Sequence, residues 1–378
     1  MTPDQVELQR MVRDFALSEI APAQEQMDRD HDFPAELWRK WSDLGMAGIM
    51  IPQEYGGSGI DSLSYVIAME EVATVSQTFA LIWQVHVLVA NMYAGLGTAA
   101  QKERWLPVFA RGEKLAAFGL TEPGAGSDAG GVRTRAARDG NDAWVINGNK
   151  IFISNAGTPI SDGLVVMAAT GDRPNGKRAI SSFIVEAGTP GFKLGQSFSK
   201  MAWHGMDNRE LVFEDCRIPA ENLLGQEGRG LSQALGGLNL GRIVFGILGV
   251  AMIRACLEES LAYAKGRHQF GQPLSSFQLT QAKLADMATH AETVRRFVHY
   301  VAWLHAQGRE CHTEAAMAKL IGTRLSTQAA LDAYQIHGGY GFMHEYKVNR
   351  LHRESKILEI GEGTNEIQQL LIARGLGC

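Results

Sequence analysis

A single carboxylate set between two glycines, in the string Gly361-Glu362-Gly363-Thr364-Asn365-Glu366, is the feature of this chain best suited to acid–base chemistry. Glycine on either side permits backbone conformations closed to other residues and lets a ligand approach the main chain. A loop anchored between two helices is a common mount for catalytic groups. In an apolar pocket the carboxyl would hold its proton more tightly, as abstraction of a proton from carbon requires. A plain helix C-cap, loop and N-cap at Thr364 explains the same residues, and the two readings are compatible.

Three further strings have the composition of ligand loops. Thr121-Glu122-Pro123-Gly124-Ala125-Gly126-Ser127-Asp128 follows a short strand pattern. Its spacing is wrong for the GxGxxG turn of a dinucleotide-binding βαβ unit, and a strand rather than a helix comes next. It reads either as a Gly/Pro turn or as a loop whose N–H groups and hydroxyls face a planar or anionic ligand. Arg267-His268-Gln269-Phe270-Gly271-Gln272-Pro273-Leu274 joins two long helical patterns and offers a cation for a phosphate and a ring for an aromatic ligand. Gln335-Ile336-His337-Gly338-Gly339-Tyr340-Gly341 is a glycine-rich helix exit, where His337 alone is more often structural than ligating.

Other chemistries are missing their residues. There is no HExxH, no Walker loop and no GxSxG elbow, and the eleven histidines are scattered, so metal catalysis and nucleophilic triads are not expected. The four cysteines stand far apart without a CxxC pair, as thiols in a reducing compartment do. A formal charge of −5 over 378 residues argues against nucleic-acid binding. Neither a signal peptide nor a membrane-length apolar run is expected, and the expected location is cytoplasmic.

The elements that must carry these loops fall into three blocks. Residues 1–113 read as helical: Thr2-Pro3 starts a helix, Pro34 opens a second that stops at Gly45, Ser62 caps a third, and Thr98 with Gln101 forms a capping box. The run Phe79 to Leu96 is apolar almost all round and should be buried. Residues 114–225 change to short runs rich in β-branched residues, with Asn147-Gly148 as a hairpin signal, which predicts an antiparallel meander or barrel. Residues 226–378 return to helix over 229–265, 275–307, 313–338 and 364–374. Glycines 236, 237, 241, 246 and 249 in the first of these predict close backbone packing against another helix or a ligand.

In this order and register, the strings PQEYGGSG, TEPGAGSD, NGNKIFISNAG, LVFEDCRIPAENLLG, RHQFGQPL, QIHGGYG and GEGTNEIQ resemble the acyl-CoA dehydrogenase family over essentially the whole chain. The resemblance implies an α+β multidomain fold: an N-terminal α-helical domain, a central β-barrel or sandwich and a C-terminal four-helix bundle, assembled as a homotetramer, a dimer of dimers. It implies FAD, with Phe118, Leu120, Thr121, Gly126, Ser127, Phe152 and Ser154 along the flavin. Arg267, Phe270, Gln335 and Gly339 would hold the pyrophosphate and adenosine end across the subunit boundary, and Thr364 and Glu366 would complete the cradle. Phe152 stands where most relatives carry Trp.

By the same resemblance Glu362 is the base. A branched-chain subgroup places its base one residue before the Arg of the first long C-terminal helix, and that position here is Gly241, before Arg242. The implied activity is α,β-dehydrogenation of an acyl-CoA, with electrons passed to an electron-transferring flavoprotein. Ser127 would also contact the CoA side of the substrate, and Arg242 would lie near the entrance of the substrate pocket. Gly361 replaces the common Tyr and would open a side wall, while Ala80, Trp83 and Gln84 would close the far end of the acyl pocket, which together imply a short, branched or cyclic acyl group. The competing expectations are an enoyl-CoA reductase, elimination or oxidase chemistry on the same flavin, and a non-catalytic scaffold, whose signature would be a missing base.

Overall fold

A computed structural model describes residues 1–378, apart from the side chains of Leu235 and Leu238. The N-terminal block is helical, with α1 (Pro3–Phe15), a π-helical turn (Ala16–Ile20), α2 (Ala21–Asp30), α3 (Ala35–Asp43), α4 (Ser62–Val75), α5 (Gln77–Leu96) and α6 (Ala99–Ala110). The capping boxes at Thr2/Gln5 and Thr98/Gln101 form as the sequence predicts. Ser62 is not a cap: Asp61 occupies that position, and its carboxylate accepts from the Ser64 N–H at 2.7 Å.

α5 is buried on nearly every face, as its all-round apolar pattern requires. It and residues Asn239–Gly266 are long and apolar enough to cross a membrane by length and composition, which corrects the expectation that no such run exists. Both lie mostly inside the protein, with 72% and 89% of their apolar windows buried.

The central block is one sheet in the order β6-β7-β3-β2-β4-β5-β8, with β1 added beside β4. The strands are β1 (Phe118–Gly119), β2 (Arg135–Asp139), β3 (Ala143–Ser154), β4 (Leu164–Asp172), β5 (Arg178–Val185), β6 (Phe192–Ser197), β7 (Asn208–Pro219) and β8 (Leu223–Leu224). Most pairs are antiparallel, but β1 and β2 each run parallel to β4, so the sheet is mixed. Asn147-Gly148 is not a hairpin. β3 runs straight through it with a register shift against β7, and the Asn147 amide is spent on Asp215, whose N–H and carboxylate it bonds at 2.8 and 3.0 Å. The turn between β2 and β3 lies at Gly140, with φ +65°.

The C-terminal block comprises α7 (Gly230–Gly266), α8 (Gln278–Ala306), α9 (His312–His337), α10 (Lys347–Leu358) and α11 (Asn365–Gly375). α10 is absent from the sequence reading. α7 and α9 pack backbone against backbone: a Cβ on Gly249 would lie 2.4 Å from the Gly322 carbonyl, and one on Gly246 3.0 Å from the Ala318 oxygen. Gly236 and Gly237, by contrast, face open space. Buried Glu70 on α4 receives Arg254 of α7 and Arg295 of α8 at 3.2 and 2.8 Å, tying the N-terminal helices to the bundle.

Gly249→Ala should cost about 1–3 kcal/mol through forced separation of α7 and α9, seen as a lower denaturation midpoint. Gly236→Ala in the same helix should leave the midpoint unchanged or raise it, since it adds helix propensity of up to about 1 kcal/mol.

Candidate active site

Glu362 sits in the turn between α10 and α11 with φ +54°, a left-handed conformation uncommon outside glycine. The turn is fixed from within. Asn365 N–H donates to the Glu359 carbonyl at 3.0 Å, and the buried Gln368 amide donates to the Glu362 and Gly363 carbonyls at 3.2 and 2.8 Å. Thr364 caps α11 by accepting from the Ile367 N–H. Among the described residues, the Glu362 N–H has no hydrogen-bond partner and stays available to a ligand.

Burial raises the Glu362 carboxyl to about 7, against the opposing pull of Arg242 and Lys319. Arg242, on α7, is 8% exposed and donates to the Asn239 side-chain oxygen at 3.1 Å. Its Nε has no partner among the described residues. Gly241 abuts Glu362: a Cβ there would meet the Glu362 Oε2 at 2.9 Å. Positions 241 and 362 therefore converge on one spot, and only one of them can carry a large side chain without rearrangement.

Gly361 does not open a side wall. A Cβ on it would lie 2.8 Å from the Phe245 ring, so an aromatic from α7 already occupies the space beside Gly361. Ala80 and Trp83 have no accessible surface. Trp83 is held in the core by a hydrogen bond to the Met46 carbonyl at 2.8 Å and by edge contacts with Trp41 and Tyr65, while Gln84 accepts from Tyr65 at 2.7 Å. The structure brings Arg242, Gly361, Glu362 and Thr364 together, with Glu366 exposed on the first turn of α11, but places Ala80, Trp83 and Gln84 in closed packing.

A second group surrounds the 121–128 loop. Glu122 and Ala125 exchange backbone hydrogen bonds at 3.0 and 3.1 Å, closing a tight turn that leaves Gly126 and Ser127 exposed. Glu122 is buried and accepts from the Thr134 N–H at 2.9 Å, the Arg133 N–H at 2.5 Å and the Lys150 ammonium at 2.7 Å. Lys150 also donates to the Leu120 carbonyl at 3.0 Å. Burial lowers the Lys150 pKa to about 8 while Glu122 opposes that fall. This pair fixes the loop to β3, where the Ile151 N–H adds a bond to the Thr121 carbonyl at 2.9 Å.

Two residues beyond Lys150, Phe152 projects from a bulge with φ +61° and 60% exposure, its ring 5.3 Å from that of Phe198. A bulky side chain in this conformation marks a site held by its surroundings for a purpose other than packing. Ser154, close to it in sequence, and Phe118, Leu120 and Thr121, on β1 and the loop after it, remain partly exposed.

The third group is a cavity of about 510 Å³ lined by Arg267, Tyr263, Gly338, Gly339, Tyr340 and neighbours, with the Arg267 guanidinium 5.4 Å from the Tyr340 ring centre. Gln335 lies exposed on the last turn of α9 above it in sequence. Phe270 is 93% exposed with φ +51°, and among the described residues its only aromatic neighbour is Phe277 at 6.3 Å. An exposed aromatic, a cation over a ring and a glycine-lined hollow fit an aromatic dinucleotide with a pyrophosphate, and open space around Gly124 and Gly126 lets a ring system approach the main chain.

Sequence reasoning missed Lys150, Lys319 and Phe245. For Lys319 the signal was a charged residue among small ones, Ala315, Ala316, Ala318 and Gly322, whereas Lys150, flanked by Asn149 and Ile151, had no such signal.

A helix–sheet–helix chain with a carboxyl raised toward neutrality in one turn, and exposed aromatics, a cation and a glycine-lined hollow in others, carries the groups a flavin-dependent oxidoreductase needs, and comparison with known proteins gives the family. Residues 2–113, 117–216 and 228–377 match the N-terminal, middle and C-terminal domains of acyl-CoA dehydrogenase. An acyl-CoA dehydrogenase of Bacillus subtilis is 44% identical over 100% of this chain and 98% of its own length. The acryloyl-CoA reductase (NADH) of Anaerotignum propionicum is 41% identical over 99% of this chain and 94% of its own. The butyryl-CoA dehydrogenase structure from Megasphaera elsdenii superposes with a TM-score of 0.95 at 38% identity, over 100% of this chain and 99% of that one. The chain belongs to the acyl-CoA dehydrogenase family, a family of flavoprotein oxidoreductases.

Lys150→Met should leave Glu122 as an uncompensated buried charge, a change that costs about 3–5 kcal/mol in comparable pairs. The expected outcome is a lower thermal midpoint together with faster amide hydrogen exchange at Arg133 and Thr134.

Proposed function

We propose that this chain, loaded with FAD, converts a short acyl-CoA to its 2-enoyl-CoA, with Glu362 removing the α-proton. The observation that carries this reading is the Glu362 carboxyl, raised by burial to about 7, in a turn whose own N–H has no partner among the described residues. A thioester α-proton is too weakly acidic for a carboxylate in water. The Glu362 N–H is suited to hold the thioester carbonyl, and a donor so placed stabilises developing enolate charge by about 3 kcal/mol. Glu362, with its proton affinity raised toward neutrality, is then matched to the proton it must take.

The residues suited to hold FAD are Phe118, Leu120, Thr121, Gly126, Ser127, Phe152 and Ser154 along the ring system. Arg267, Phe270, Gln335 and Gly339 suit its pyrophosphate and adenosine end, with Thr364 and Glu366 beside the base. Bound FAD supplies the acceptor for the β-hydride. The high exposure of Phe270, Leu279 and Phe342 supports assembly with other copies, read here as a homotetramer in which Phe270 reaches a neighbouring subunit's cofactor. An electron-transferring flavoprotein is the proposed electron acceptor.

On the substrate, Phe245 closes the side that Gly361 would have opened, so the support for a branched or cyclic acyl group falls away. The likeness to a butyryl-CoA dehydrogenase supports a short straight chain. A second reading, reduction of an enoyl-CoA on the same site, is supported by the 41% identity to the acryloyl-CoA reductase. Anaerobic mixing separates the two: bleaching of the flavin by acyl-CoA supports dehydrogenation, whereas efficient turnover only from a reduced donor to enoyl-CoA supports reduction.

With Glu362 as base, kcat/KM should fall as pH drops through about 7, because the protonated carboxyl cannot accept the α-proton. Glu362→Gln should lower turnover by about 10²–10⁴-fold with flavin retained; parental turnover in that variant would remove the assignment. Phe245→Ala should raise the rate ratio of branched to straight four-carbon acyl-CoA by about tenfold, measured by steady-state kinetics on the two substrates.

A further inference from the structure

We infer that Lys319 is a positioning residue for the base, fastening both ends of the loop that carries Glu362 and holding a fixed positive charge at the foot of that loop. The inference rests on the reading of Glu362 as base. Lys319 lies on α9 with no accessible surface. Its ammonium donates to the Glu359 carbonyl at 3.0 Å, where α10 ends, and to the Asn365 side-chain oxygen at 2.9 Å, where α11 begins. Those two residues bracket the base loop. The Asn365 oxygen also accepts from the Thr323 hydroxyl at 3.0 Å, and the Asn365 N–H closes onto the same Glu359 carbonyl, so α9 grips the loop at a single buried knot.

Both direct acceptors of Lys319 are neutral oxygens, and among the described residues no carboxylate comes within 4.0 Å of its nitrogen. A neutral donor would serve as a clamp at such a site without the desolvation penalty of a buried ammonium. A charge held there acts on something further off, and the carboxylates it senses are Glu359, Glu362 and Glu366. Burial lowers the Lys319 pKa to about 8 and these three groups oppose that fall, so the ammonium remains mostly charged at neutral pH. From the side of Glu362 the cations are Arg242 on α7 and Lys319 on α9, and both draw its carboxyl down against burial. Arg242 is tethered by one hydrogen bond to Asn239, whereas Lys319 is held by the backbone and side chain of the loop itself. The loop and its charge therefore move as one unit.

The test uses the flavin-loaded protein and three variants, Lys319→Gln, Lys319→Met and Lys319→Arg. Kcat/KM against pH is measured with a short acyl-CoA, and the Glu362 carboxyl is titrated independently by isotope-edited infrared spectroscopy without substrate. The glutamine variant keeps a neutral donor for the clamp and remains informative where the methionine variant fails to fold. The expected result is a shift of both midpoints to higher pH by about one unit in the Gln and Met variants, with the Arg variant close to the parent. Unchanged midpoints in a folded, flavin-loaded Lys319→Gln protein overturn the inference, even where turnover falls, because that pattern belongs to a purely structural clamp. An active Glu362→Gln variant would instead overturn the base assignment, so the two failures are distinguishable.

Discussion

The close approach of α7 and α9 at Gly246, Gly249 and Gly322 is the constraint on which the site depends. Backbones meet there because no side chain separates them. Arg242 lies one helical turn before Gly246, and Lys319 three residues before Gly322, so the same contact sets both cations relative to Glu362. Phe245 and Gly241 ride on the same stretch of α7, one against Gly361 and the other against the Glu362 carboxylate. A wider crossing would move the aromatic wall and the charges together. The helix propensity lost at the glycines is about 1 kcal/mol each, which is small beside the catalytic effects that hang on sub-ångström placement.

Two buried lysines solve opposite problems by the same means. Lys150 has a carboxylate partner, Glu122, at 2.7 Å and closes a loop that must keep its shape under a ligand. Lys319 has only neutral direct partners and leaves its charge to act at longer range on Glu362. In both cases the ammonium bonds a backbone carbonyl of the loop it controls, Leu120 in one and Glu359 in the other. Buried charge of this kind contributes little net stability; its effect is to leave the loop one arrangement.

Much of the architecture was legible because it follows from local rules. Helix caps at Thr2 and Thr98, the all-round apolar α5 and the β-branched runs each depend on residues within one turn or one strand. What escaped was set by partners distant in sequence. Asn147-Gly148 has hairpin chemistry, but Asp215 on β7 captures the Asn147 side chain and turns the pair into a bulge within one continuous strand. The parallel pairing of β1 with β4 joins Phe118 to Val165 and has no local signature. β6 lies mostly exposed at the sheet edge and lacks the apolar alternation that reveals a strand. For the site, the glycine-flanked Glu362 was conspicuous, whereas the consequence of Gly361 was misread, since a missing side chain says nothing about which distant residue fills its place.

That replacement has a further meaning. Where a pocket wall and a proton acceptor are adjacent residues of one loop, reshaping the wall disturbs the acceptor. Here Phe245 stands on a 37-residue helix and Glu362 on a separate turn. A substitution at Phe245 therefore changes what faces Gly361 without altering the sequence of the turn, whereas a shift of the whole helix would carry both.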